Sequence, residues 1–186
     1  MSGPSAPRAP AAVVLLGLRC SGKTSVGRLL AGRLGWPFHD SDAELARRFG
    51  ELSGASGREA GEVLAEVGLE RFRRLERDAL TGLLAQPGPR VVATGAGCVE
   101  TPEVRRMLRG ARCVWLRVEL AELRARMEAD PTPRPSLTGA DPLLEIPQVA
   151  ARREPLYRAL ASAVIDCGGA APAELAERLA RRFAPA

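Results

Sequence analysis

Short, wholly apolar runs alternate along the chain with stretches of helical periodicity. Val13-Val14-Leu15-Leu16 is apolar at every position, which predicts a parallel strand covered on both faces. Val26, Leu29, Leu30 and Leu34 then recur at helical spacing and predict a helix with these four on its inner face. Pro37-Phe38-His39-Asp40 reads as a short second strand, Ser41 as a helix N-cap, and Asp42 to Phe49 as the opening of the next helix. Residues 50–68, rich in Gly, Ser and Glu, read as a mobile excursion with a short helix around Glu59 to Val67. A stronger helix follows, with Leu69, Phe72, Leu75, Leu80 and Leu84 as a rough apolar face. Val91-Val92-Ala93-Thr94 is the third strand, and a helix after Thr101-Pro102 leads to the fourth, Cys113-Val114-Trp115-Leu116. Next come a helix ending near Ala129, a proline-broken segment from Asp130 to Pro142, and a further helix. Ala163-Val164-Ile165-Asp166 is the last strand, and Pro172 opens a terminal helix. Five short apolar strands separated by helices predict an α/β domain built on a parallel sheet with both faces covered.

At 186 residues there is room for one such domain and little else. Residues 1–12, rich in Pro, Ser and Ala, read as a disordered leader, which leaves 13–186 as the folded unit. The apolar run after the leader is too short for a signal sequence or a membrane span, so a soluble cytoplasmic protein is expected. The formal charge of +5 raises the question of nucleic acid. However, the arginines are scattered along helices beside glutamates, as in Glu70-Arg71 and Glu76-Arg77, and aromatic residues make up only 4% of the chain. That pattern reads as a solvated surface without a base-stacking platform. No long apolar surface stripe stands out, and a monomer is expected. Cys20, Cys98, Cys113 and Cys167 are widely spaced and the single His39 has no cysteine near it, so neither a zinc site nor a disulfide framework is supported. Cys20, at a helix N-terminus beside a lysine, is the one thiol placed to meet oxidants.

The first strand and first helix are joined by Gly17-Leu18-Arg19-Cys20-Ser21-Gly22-Lys23-Thr24, a match to the phosphate-binding loop G-x-x-x-x-G-K-[ST] in its proper context. Strand, glycine-rich turn and helix N-terminus direct free backbone N–H groups and the helix dipole at a bound anion. The loop is expected to hold the β-phosphate of a nucleotide, with Lys23 reaching the β- and γ-phosphates and the Thr24 hydroxyl ligating Mg²⁺. Lys23 is also the only lysine in a chain otherwise committed to arginine. A compact, mobile ammonium at that one position is what the loop requires.

Ligands of an open parallel sheet sit outside the carboxyl ends of its strands. Beyond the phosphate loop, those ends carry Asp40-Ser41-Asp42 after the second strand and Gly95-Ala96-Gly97 after the third. Two carboxylates spaced i, i+2 can divide labour, one ordering the hydration shell of Mg²⁺ and the other taking a proton from an attacking hydroxyl. The plainer alternative is that Asp40 and Ser41 only cap a helix.

Taken together, Gly17 to Thr24, Asp40-Ser41-Asp42, Phe72-Arg73-Arg74, Thr94-Gly95-Ala96-Gly97, Arg134-Pro135 and Arg153-Glu154-Pro155-Leu156-Tyr157 resemble, in this order, the shikimate kinases. The resemblance runs from about Val13 to the terminal helix. It implies a three-layer P-loop fold of the nucleoside monophosphate kinase type, with sheet order 2-3-1-4-5, a mobile substrate-binding insertion over about 43–75 and a lid over about 130–143. It also implies transfer of the ATP γ-phosphate to the 3-hydroxyl of shikimate, with Mg²⁺, on the chorismate route to aromatic amino acids. Residue by residue, Asp42 becomes the contact to the substrate hydroxyls and the base, with Lys23 and the lid residue Arg134 as its catalytic partners. Asp40 becomes a water-mediated partner of Mg²⁺. Gly17, Cys20, Ser21, Gly22, Lys23, Thr24 and Ser25 cradle the ATP phosphates, and Arg126 is a candidate for the adenine. Arg73 and Arg153 match the arginines for the substrate carboxylate, while Gly95, Ala96 and Gly97 pack against its ring. The chain departs from the family pattern at Ala96, where three glycines are usual, at Cys20, Leu69 and Ser136, and in the greater length of 50–68. Two other readings share the nucleotide half: a related small-molecule kinase such as a gluconate kinase, and a nucleotide-binding protein with weakened kinase activity.

Overall fold

In the computed structural model, which describes residues 12–54, 56–130 and 142–184, the strand Ala12–Leu16 (β1) lies at the centre of a five-stranded parallel sheet. β2 (Phe38–Asp40) and β3 (Arg90–Ala93) lie to one side of it, and β4 (Arg112–Arg117) and β5 (Ala163–Asp166) to the other, in the order β2-β3-β1-β4-β5. Every residue of β1 and β3 is buried, on both faces of the pleat, which requires cover on both sides of the sheet. β5, at one edge, alternates instead between half-buried and exposed positions. Ala12 is thus strand; the rest of the expected leader lies outside the described residues.

Helices α1 (Lys23–Leu34), α2 (Ser41–Ser53), α3 (Ala60–Ala85), α4 (Pro102–Leu108), α5 (Leu120–Glu128), α6 (Pro142–Leu160) and α7 (Pro172–Phe183) complete the chain. α1 packs on α7, α2 on α3, and α5 on α6. The buried face of α1 is Lys23, Val26, Gly27, Leu30 and Ala31; the expected Leu29 is exposed. Gly27 decides that rotation, because a Cβ there would lie 2.5 Å from the Phe38 ring of the edge strand β2.

Residues 50–68 are more regular than their composition suggests. α2 continues to Ser53, and α3 breaks at Gly68, where φ is 73°. The break separates the expected short helix from the stronger one after it. In the latter, Phe72, Glu76, Ala79, Leu80 and Leu83 form the buried stripe, and Leu69 is exposed. Leu45, Phe49, Val63, Phe72 and Ala79 make a small second core between α2 and α3, apart from the main one around the sheet. This second core fixes the two helices that carry Asp42 and Arg73. Arg90, fully buried at the start of β3, donates to the carbonyls of Leu83, Gln86 and Gly88 and so satisfies acceptors that the C-terminus of α3 would otherwise leave bare. Among the described residues no helix is long and apolar enough to cross a membrane.

Candidate active site

The carboxyl ends of β1, β2 and β3 open into one cleft of about 1250 Å³, lined from the phosphate loop through Asp40 and Asp42 to Arg73, Glu76, the Gly95–Gly97 turn and Arg153. β1 pairs with β3 on one side and β4 on the other, so the loop after it leaves at the point where the strand order reverses.

The phosphate loop owes its shape to three left-handed residues, Gly17 (φ 150°), Cys20 (φ 58°) and Gly22 (φ 89°), the last capping α1. Gly17 has a second reason to lack a side chain: a Cβ there would lie 2.7 Å from both the Leu116 carbonyl and Ser21 Oγ. Lys23 is buried, and its Nζ donates to the carbonyls of Gly17 (2.9 Å) and Leu18 (2.7 Å) and to Ser21 Oγ (3.4 Å). Burial pushes its pKa down to about 8, against the opposing pull of Asp42 and Asp40. Thr24 Oγ1 donates to Asp40 Oδ2 at 2.8 Å, bringing together the two groups expected at a metal. Ser25 follows on the exposed first turn of α1 and also lines the cleft.

Asp40, and not Ser41, is the N-cap of α2. Its Oδ1 accepts from the backbone N–H of Asp42 (3.0 Å) and Ala43 (3.5 Å). Asp40 therefore both caps the helix and faces Thr24, with one carboxylate oxygen for each task. Ser41 is fully buried inside the helix, and its Oγ accepts from Gly95 N at 2.9 Å. Together with the Tyr157 hydroxyl, which donates to the Ala96 carbonyl, this bond pins the turn after β3.

Gly95 and Gly97 are required by close approach. A Cβ on Gly95 would lie 2.5 Å from both Asp42 Oδ1 and Glu76 Oε1, and one on Gly97 would lie 2.2 Å from the Arg73 guanidinium. Neither has a positive φ, and neither does Ala96; Cys20 is the only non-glycine with one among the described residues. The methyl group of Ala96 therefore strains nothing in the backbone.

Arg73 NH1 donates to Glu76 Oε2 at 2.8 Å, and its NH2 to Glu100 Oε2 at 3.0 Å. Arg153, buried on α6, reaches the same Glu100 oxygen at 2.9 Å, so two helices far apart in the sequence aim their guanidinium groups at one point. Arg153 Nε has no hydrogen-bond partner among the described residues. Arg126, on α5, donates to the Cys20 carbonyl at 3.2 Å and pairs with Glu122, beside the loop. Cys20 Sγ donates to Asp130 Oδ2 at 3.6 Å; all four cysteines are free thiols. Arg134 and Ser136, with all of the expected lid but Asp130 and the start of α6, lie outside the described residues.

Two residues of this site were not anticipated. Glu76, taken from sequence as part of a solvated surface, is 1% exposed, and burial pushes its carboxyl up to about 7 while Arg73 pulls it down. Its place three residues after Arg73, on the stripe of Phe72, Ala79 and Leu80, was the available signal. Glu100 ends a 3₁₀ turn (Cys98–Glu100) and carries no signal in the sequence, since its partners come from α3 and α6.

Residues 19–184 match the family model described as shikimate kinase. The chain belongs to the shikimate kinase family. A shikimate kinase of Thermobifida fusca is 38% identical over 170 residues, covering 91% of this chain and 93% of that one. One from Nitratidesulfovibrio vulgaris is 41% identical over 156 residues, covering 82% and 85%. The solved shikimate kinase from Acinetobacter baumannii, in complex with shikimate, superposes with a TM-score of 0.80 at 29% identity, covering 94% of this chain and 93% of that one. A gluconokinase from Sinorhizobium meliloti shares the fold, with a TM-score of 0.58 at 20% identity over 95% of this chain and 97% of that one.

Shikimate kinases use a nucleotide, and the donor set here suits a nucleotide-borne Mg²⁺. Thr24 and Asp40 offer hard oxygens side by side, while no cluster of three or more metal-ligating side chains exists among the described residues. Mg²⁺ keeps several waters and takes one or two protein oxygens together with phosphates, so a dedicated cage is not needed.

Proposed function

We propose that this chain transfers the γ-phosphoryl group of ATP to the 3-hydroxyl of shikimate, giving shikimate 3-phosphate and ADP. The observation that carries this reading is the convergence of Arg73 and Arg153, both lining the cleft that the phosphate loop opens into, on a single carboxylate oxygen, 3.0 and 2.9 Å away. Two guanidinium groups sharing one point make a receptor for a small carboxylate. Loop amides, Lys23, Ser21 and Ser25 would hold the phosphates, and Thr24, with Asp40 acting through water, would hold a Mg²⁺ that neutralises phosphate charge. Asp42, on the first turn of α2 and packed against Gly95, orients the acceptor hydroxyl and takes its proton. Glu76 holds Arg73 in place. Arg126 flanks the adenine end, and Arg134 is assigned from its motif to the transferring group. One chain supplies every group named, which supports a monomer, and we place it in the cytoplasm.

The test is ADP release with Mg-ATP and, in turn, shikimate, gluconate and nucleoside acceptors. Stimulation by shikimate alone is expected. Stimulation by gluconate, or by no acceptor while ATP binding persists, overturns the substrate and favours the related kinase or the weakened one.

Lys23 adds a pH dependence. In the free protein its pKa is near 8, whereas bound phosphates stabilise the ammonium, so binding takes up a proton once the pH exceeds that value. The dissociation constant for Mg-ADP is expected to rise about tenfold between pH 7 and pH 9. Calorimetry in buffers of different ionisation enthalpy should register the proton; a flat affinity with no uptake would show that Lys23 is not the titrating group.

A further inference from the structure

Glu100 engages the two guanidinium groups that the proposed function assigns to the substrate carboxylate. Its Oε2 accepts from both Arg73 (3.0 Å) and Arg153 (2.9 Å), while Oε1 pairs with Arg152 Nε. Arg73 needs no second anion to hold it, because Glu76 already pairs with it inside the helix. The Glu100 side chain is 21% exposed, at the end of a short 3₁₀ turn, and that of Arg152 is 49% exposed. The pair thus has room on the solvent side that the buried Arg153 lacks. Arg73, Arg152 and Arg153 face Glu76 and Glu100 at this point. Two carboxylates cannot share the same two guanidinium groups without strong repulsion. Burial pushes the Glu100 carboxyl up, but Arg153, Arg152 and Arg73 together bring it below its ordinary value, so it competes as an anion.

We propose that Glu100 is a built-in competitor for the acceptor's carboxylate: it closes the Arg73–Arg153 clamp until the acid displaces it onto Arg152. The inference rests on the reading of that clamp as a carboxylate site, and it makes Glu100 and Arg152 determinants of acceptor affinity. The population with an open clamp sets the apparent affinity, since only that fraction can bind.

The experiment is a double-mutant cycle on the intact enzyme with E100Q, R152A and E100Q/R152A, reading KM for shikimate, kcat and thermal stability with and without shikimate. E100Q is expected to lower KM about tenfold with little change in kcat, because a competing interaction is removed from the ground state. Its melting temperature without shikimate should fall, and the rise on adding shikimate should exceed that of the wild type. R152A removes the alternative partner of Glu100 and should raise KM severalfold. In the E100Q background the same change should have almost no effect, since Arg152 acts through Glu100. A KM that is unchanged or raised in E100Q, or an R152A effect that persists beside E100Q, overturns the proposal. Arg152 is exposed enough for R152A to fold, so an unchanged or lowered KM in that variant alone also overturns it. An active wild type with unresponsive variants rejects only the competitor. If shikimate stimulates neither the wild type nor E100Q, the carboxylate reading fails and the competitor fails with it.

Discussion

Asp42→Asn is expected to lower kcat by about a thousandfold while leaving the affinity for Mg-ADP within about twofold of the wild type. The substitution keeps the shape of the side chain, and the backbone N–H of Asp42 continues to donate to Asp40, so the start of α2 is preserved. What is lost is the negative charge, with its pull on Lys23, and the capacity to take a proton. The phosphate loop is built from a different strand end, and Asp40, the neighbour of Asp42, keeps Thr24 in place. Steady-state turnover with shikimate and an independent titration of Mg-ADP separate the two effects. Retained turnover would remove Asp42 from the role of base, and a matching loss of ADP affinity would end the proposed division between Asp40 and Asp42.

The second large effect is at Arg153, which lines the same cleft. Arg153→Ala is expected to raise KM for shikimate about a hundredfold, the equivalent of about 3 kcal/mol for a charge-assisted hydrogen-bonded pair. The Mg-ADP affinity should stay near that of the wild type. Removing a buried guanidinium also endangers the fold, because Glu100 would lose one of its three partners. Arg153→Lys provides the control: it keeps the charge but loses the planar fork, and should raise KM about tenfold with the fold intact. An unchanged KM in a folded Arg153→Lys protein would exclude Arg153 from the clamp.

The two halves of the site differ in how far they could be read from the chain alone. Gly17 to Thr24 is a contiguous motif whose function is local, since its backbone conformations and Lys23 follow from eight neighbouring residues. The five strands were equally legible because burial on both faces demands uninterrupted apolar runs. Helix faces were less so. Leu29 and Leu69 fit the expected stripes by hydrophobicity, but the packed faces were set by Gly27 against Phe38 and by Glu76 against Gly95. Ser41 looks like a cap in sequence because serine commonly is one. Asp40 takes that place, and Ser41 turns inward to Gly95, a residue 54 positions away.

By itself, then, the sequence determined the order of strands and helices, the phosphate loop, and, through spaced motifs, the carboxylates and arginines of the cleft. Contacts between distant segments were left to the tertiary structure. Only there do Arg73 of α3 and Arg153 of α6 meet on Glu100, and only there does Glu76 become a buried partner of Arg73. The physical reason is range. Backbone conformation and strand burial are written in neighbouring residues, whereas a charge is surface or site according to what folds over it.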